Sequence, residues 1–169
     1  MREMFQFLNL SDPGSAVPSE PKLQPTRVGI ARCLLFTIEA GSGFAEDGEG
    51  KKQDRDLVLC NKIVEKLRNR GLEATAAKRW KPWGAGTHIK FLGFELLFWL
   101  NSKGKARFVN CYVCTWITPR NDSYYYTAEW TRVRGVMEDI LQQDLNAGSV
   151  TWMTMEQMED RESADDSVS

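Results

Sequence analysis

The residues best equipped for chemistry lie between positions 78 and 107. Lys78-Arg79-Trp80-Lys81-Pro82-Trp83 interleaves cations with indoles around a proline, and Lys90, Lys103, Lys105 and Arg107 follow. Lys and Arg attract phosphates without regard to sequence by releasing counterions, and exposed aromatic rings offer unpaired bases a stacking platform. The pattern predicts contact with single-stranded nucleic acid or another polyanion through Lys78, Arg79, Trp80, Lys81, Trp83, Lys90, Lys103, Lys105 and Arg107. In the plainer alternative, the tryptophans fill an edge of the core and the cations solvate loops. No known RNA- or DNA-binding motif accompanies the stretch.

The charge distribution gives this region its weight. The formal total is −1, yet residues 51–120 hold fifteen Lys/Arg against five Asp/Glu, and residues 121–169 hold three against eleven. Four of the six tryptophans fall in the basic stretch. A basic middle followed by an acidic end is an argument about partners, which can be a polyanion or an acidic protein. The acidic end can also fold back over the basic region and screen it. Tyr124, Tyr125 and Tyr126, close to Trp130, form a candidate aromatic anchor for a protein partner. They serve equally well as a staple that seats the following helix.

Catalytic chemistry finds less to work with. His88 is the only histidine, and Glu95 is the only carboxylate between Glu73 and Asp122. A triad would have to use that histidine, and an enzyme reading gains if the two share a cleft. Cys111 and Cys114 have the spacing of a metal knuckle, but on a strand side chains three apart point to opposite faces. They read as buried thiols, as do Cys33 and Cys60. The glycine-rich run 41–53 ends in Gly50-Lys51, but Lys52 stands where a phosphate loop needs Ser or Thr, and Glu46, Asp47 and Glu49 oppose an anion. The expectation is a binding protein without catalytic residues, metal or cofactor.

These residues need elements to position them. Val28–Ile38 reads as a strand. A helix follows, capped by Asp54 or Asp56 and ended by Gly71, with Cys60, Ile63, Val64 and Leu67 on its apolar side. Leu72–Ala77 suggests a short strand and Lys78–Gly86 a loop. From Thr87 to Leu100 the pattern is that of one strand, whose change of parity at Gly93 suggests a bulge. A hairpin loop at 101–105 leads into a strand over 107–117. Tyr126–Asn146 reads as a helix with Thr127 as N-cap and Gly135 at a close packing contact, and Ser149–Met155 as a last strand.

The fold class expected is α+β: a small antiparallel sheet, in the order β-α-(β)-β-β-α-β, with two helices packed on one face. A ferredoxin-like sandwich is one solution among several. Residues 1–26 read as a proline-rich leader, 27–155 as the single domain and 156–169 as an acidic free tail. No apolar run approaches a bilayer span, and four cysteines without a disulfide framework suit a cytoplasmic protein.

Overall fold

Alternating apolar and polar residues build one seven-stranded sheet in the computed structural model, which describes residues 29–39, 52–80, 84–91, 94–104, 107–118 and 122–168. Strand β1 (Cys33–Glu39) leads to helix α1 (Lys52–Asn69), and short strands β2 (Glu73–Ala74) and β3 (Lys78–Trp80) follow. A meander of β4 (Gly84–Phe91), β5 (Phe94–Lys103) and β6 (Phe108–Thr118) forms the centre. A 3₁₀ turn (Asp122–Tyr126), helix α2 (Ala128–Asp139), a π turn (Ile140–Asp144), strand β7 (Gly148–Met153) and helix α3 (Met155–Val168) complete the chain. The order across the sheet is β2-β4-β5-β6-β1-β7, with β3 also paired to β4, and every pairing is antiparallel. The class is α+β, as the pattern implied, with more strands than a ferredoxin-like sandwich and a third helix. Residues Ala31–Ser169 form one compact unit. The leader expected over 1–26 and the glycine-rich run 41–51 lie outside the described residues, and none of the described helices is long and apolar enough to cross a membrane.

Cross-strand partners share a side of a sheet, so the register sorts the side chains into two faces. Leu34, Phe36 and Ile38 on β1, Ile89 on β4, Leu96, Phe98 and Leu100 on β5, and Val109, Val113 and Ile117 on β6 all point one way and are buried. Helix α1 covers this inner face with Leu59, Cys60, Ile63, Val64 and Leu67, and α2 adds Val133 and Met137. Trp130 of α2 meets Trp152 of β7 edge to face at 5.6 Å. Three- and four-residue spacing of large apolar side chains made both helices amphipathic, and this packing is the consequence.

Local punctuation explains the element ends. Gly71, at φ +79°, closes α1, and Leu72 N–H donates to Leu67 O at 3.0 Å, as a left-handed C-terminal cap requires. Thr127 caps α2 by accepting from Trp130 N–H at 3.2 Å. Asp56 does not cap α1. It lies inside the helix, buried, and accepts Ser102 N–H at 3.1 Å as well as the Ser102 hydroxyl, tying α1 to β5.

Four further expectations need correction. Gly93 itself lies outside the described residues, but no single strand runs through it: Phe91 and Phe94 are antiparallel cross-strand partners and Lys90 faces Glu95, so the chain reverses between β4 and β5. The loop expected at 78–86 contains β3 and the start of β4. Gly135 is exposed, with open space where a Cβ would stand, so it marks no close contact. Residues 155–168 form a helix rather than a free tail. Its start carries a reciprocal capping box, in which Thr154 N–H donates to Gln157 Oε1 at 2.9 Å and Gln157 N–H to Thr154 Oγ1 at 3.2 Å.

Candidate binding face of the sheet

Opposite the inner face, the register gathers side chains that are far apart in sequence. Lys78 and Trp80 on β3, His88 and Lys90 on β4, Glu95, Leu97, Trp99 and Lys103 on β5, and Trp116 on β6 all point to the outer face. Trp80, Leu97, Trp99 and Trp116 line an open groove of about 430 Å³. Each is half-buried, and the Trp99 and Trp116 rings lie 6.0 Å apart at 42°. Between these strands, Gly84 of β4 pairs with Trp80 of β3, and Gly86 pairs with Lys78 of β3 and Trp99 of β5. A Cβ on Gly84, at φ +116°, would sit 2.1 Å from Leu100 O, and one on Gly86 would sit 3.0 Å from Phe98 O and 3.6 Å from the Trp80 ring. Glycine at these two positions lets β4 lie this close to the β5 backbone.

Polar groups rim the groove. His88 Nδ1 lies 3.0 Å from Glu95 Oε1, each side chain about 40% exposed (40% and 39%). The His88 ring also meets Trp80 edge-on at 6.2 Å. The lone histidine and the isolated carboxylate therefore do meet, but on the open surface of two neighbouring strands. Lys90 pairs with Glu73 at 2.8 Å, which raises the Lys90 pKa through that hydrogen bond. Lys78 is exposed at the start of β3.

The other end of the outer face is occupied by α3, which carries six carboxylates against one arginine. Met158 is its buried apolar anchor, packed with Cys33, Tyr112, Cys114 and Met153. The remaining hold is polar. Lys103 Nζ reaches Asp166 at 2.7 Å and Glu162 at 3.1 Å. Asn101 donates to Glu162 at 3.3 Å, Asn110 to Asp165 at 2.8 Å, and the Tyr112 hydroxyl also donates to Asp165. Burial pushes the Tyr112 phenol upward, and the Asp165 carboxylate adds to the shift by accepting from the neutral form. Burial works to lower the Lys103 pKa, but its hydrogen bonds to Asp166 and Glu162 outweigh this and hold it above the usual range.

The structure thus brings Lys78, Trp80, Lys90 and Lys103 to one face. It sends Arg79 to the opposite face of β3, opposite Ala85. Arg107 stands at the start of β6 and pairs with Glu39 at 2.5 Å. Lys81, Trp83 and Lys105 lie outside the described residues. The tyrosine trio divides: Tyr124 stacks on Phe94 at 4.5 Å, Tyr125 is buried and donates to Thr115 O at 3.0 Å, and Tyr126 is exposed. Of the three, Tyr125 is the one whose ring meets α2, edge to face with Trp130 at 5.0 Å. Sequence reasoning missed Leu97, Trp99 and Trp116 as groove walls, although their placement could have been found from parity once Phe91–Phe94 was read as a turn.

A second recess of about 530 Å³ lies where α1, the π turn and the β1–β7 edge meet, with Lys62, Lys66, Glu65 and Asp144 in its walls. Charges of both signs line it, so it favours neither anion nor cation. Among the described residues, Cys111 and Cys114 point to opposite faces, as strand geometry demands, and no group of three His, Cys, Asp or Glu is placed to hold a metal. Comparison of the chain with protein-family models, with curated proteins and with solved structures returns no match.

Proposed function

We propose that the chain is a non-enzymatic binding protein that takes single-stranded nucleic acid on the outer face of its sheet. Bases stack on Trp80, Trp99 and Trp116, and the phosphate backbone runs past Lys78 and Lys90. One observation carries this reading: the register collects the indoles and the cations of four strands on one face, beside an open groove. A β-sheet surface with aromatic side chains is a favourable platform for splayed, unpaired bases. The acidic helix α3 adds support, because its carboxylates engage Lys103, Asn110 and Tyr112, donors a phosphate would also seek. The free, buried cysteines suit a reducing compartment, and we place the protein in the cytoplasm on that ground.

Binding of a mixed-sequence oligonucleotide across a salt series tests the proposal. Lys78→Ala should flatten the log–log salt dependence by about one unit of slope. Unchanged affinity and slope in Lys78→Ala, Trp80→Ala and Lys90→Ala would remove this face from the interface.

A second reading, a protein partner, is favoured by the apolar walls of the groove and by Phe108 and Tyr126, each 60% exposed. An aromatic groove accepts an extended apolar or proline-containing segment. Such binding would survive high salt, whereas binding to nucleic acid would weaken steeply.

A further inference from the structure

Beneath the first turn of α3, three sulfur atoms meet. Cys33 Sγ and Cys114 Sγ, cross-strand partners 81 positions apart, lie 3.6 Å from one another. Met155 Sδ lies 3.7 Å from Cys33 Sγ and 3.9 Å from Cys114 Sγ. A point in the plane of this near-equilateral triangle is about 2.2 Å from every sulfur, close to an ordinary metal–thiolate length of ~2.3 Å. Met153 and Met158 belong to the same buried cluster, so Met153-Thr154-Met155-Glu156-Gln157-Met158 brings three of the chain's six methionines to one spot.

We propose that Cys33, Cys114 and Met155 form a trigonal site for a monovalent soft metal ion, copper(I). Thiolate and thioether ligands select Cu(I), whereas zinc prefers four ligands in tetrahedral array, often with nitrogen or oxygen among them. Binding exchanges two thiol protons for one Cu⁺ and changes no oxidation state. The resulting centre carries one negative charge; Arg32 attracts it, while Glu159 and Glu162 of α3 act in the opposite sense on Cys33 and Cys114. The site is dry: both cysteines are buried, and only half-buried Met155 approaches solvent. Met155 opens α3, so the ion would bridge that helix to β1 and β6.

The test uses the reduced full-length protein under anaerobic conditions, titrated with Cu(I) against a coloured Cu(I) chelator. The expected result is withdrawal of one equivalent per chain, with X-ray absorption showing three sulfur neighbours. Cys114→Ser should abolish withdrawal, and Met155→Leu should weaken it at least tenfold and leave a two-sulfur spectrum. Cys111→Ser, altered on the opposite face, should bind as the parent does. Circular dichroism of each variant separates lost ligands from lost fold, and Met155→Leu changes no buried polar group. Retention of all copper by the chelator overturns the proposal. So does equal binding by Cys114→Ser, a two-sulfur spectrum in the parent, or a preference for Zn²⁺.

Discussion

Neutralising the carboxylates with which α3 grips the sheet should release the helix without unfolding the domain. The perturbation is Glu162→Gln with Asp165→Asn and Asp166→Asn. Lys103, 20% exposed, loses two ion pairs, one at 2.7 Å to Asp166, 65% exposed, and one at 3.1 Å to Glu162, 30% exposed. Partly exposed pairs of this kind contribute ~0.5 kcal/mol each after screening. Asp165 accepts from Tyr112 and Asn110, and loss of its charge weakens these hydrogen bonds by ~1–2 kcal/mol together. The sum is ~2–3 kcal/mol, a rise of roughly 30- to 150-fold in the population with α3 open, at ~1.4 kcal/mol per tenfold. Met158 remains as the apolar anchor, so the closed form persists. Hydrogen exchange of the α3 amides measures the opening directly, and tryptic cleavage after the exposed Arg161 reports it independently. Glu159→Gln, at an exposed position of the same helix, should leave both rates within about twofold. Equal α3 exchange in the triple variant and the parent would refute the reasoning, and would mean that the helix is held by its methionines alone.

Other outcomes follow from the same geometry. Gly135→Ala, in open space on α2, should stabilise the protein by ~1 kcal/mol, seen as a higher urea midpoint with an unchanged slope. Asp56→Ala should cost ~2–3 kcal/mol by leaving Ser102 N–H buried without its acceptor, measurable by the same denaturation. Stability should fall in alkali. Tyr112 and Lys103 both have folded pKa values above their unfolded values of ~10 and ~10.4, so the unfolded chain binds fewer protons there. Their contribution is complete below about pH 9 and is lost as pH rises through 10 and beyond, so the melting temperature should drop over that range. A flat profile between pH 8 and 11 contradicts the α3 contacts drawn from these two groups.

Much of the architecture was legible because periodicity and caps are local. The spacing of Cys60, Ile63, Val64 and Leu67, the glycine at 71 and the cap at Thr127 each act within a few residues, and each predicted its element. Parity was legible but misassigned, because a bulge and a chain reversal shift it alike, and only pairing to a partner strand tells them apart. The acidic end misled for a different reason. Its residues carry almost no apolar stripe, so composition argued against burial, while the Thr154–Gln157 capping signature marked a helix start in plain view. Apart from Met158, what holds that helix is polar complementarity with Lys103, Asn110 and Tyr112, partners 53 or more positions away. The face itself is a product of long-range register: nothing near Trp80 in the chain announces Trp99 or Trp116. The same holds for Cys33 and Cys114, read singly as inert thiols and brought together only when β1 joins β6.

The most direct test of the binding face is intrinsic tryptophan fluorescence, titrated with a single-stranded oligonucleotide at low and moderate salt. The expected result is saturable quenching that weakens as salt rises. Trp80→Ala should lose ~1–3 kcal/mol of affinity, the stacking of about one base. The triple variant with α3 loosened should bind more tightly than the parent, because Lys103 and Tyr112 become available. Absence of quenching by parent and triple variant alike at low salt would contradict the account.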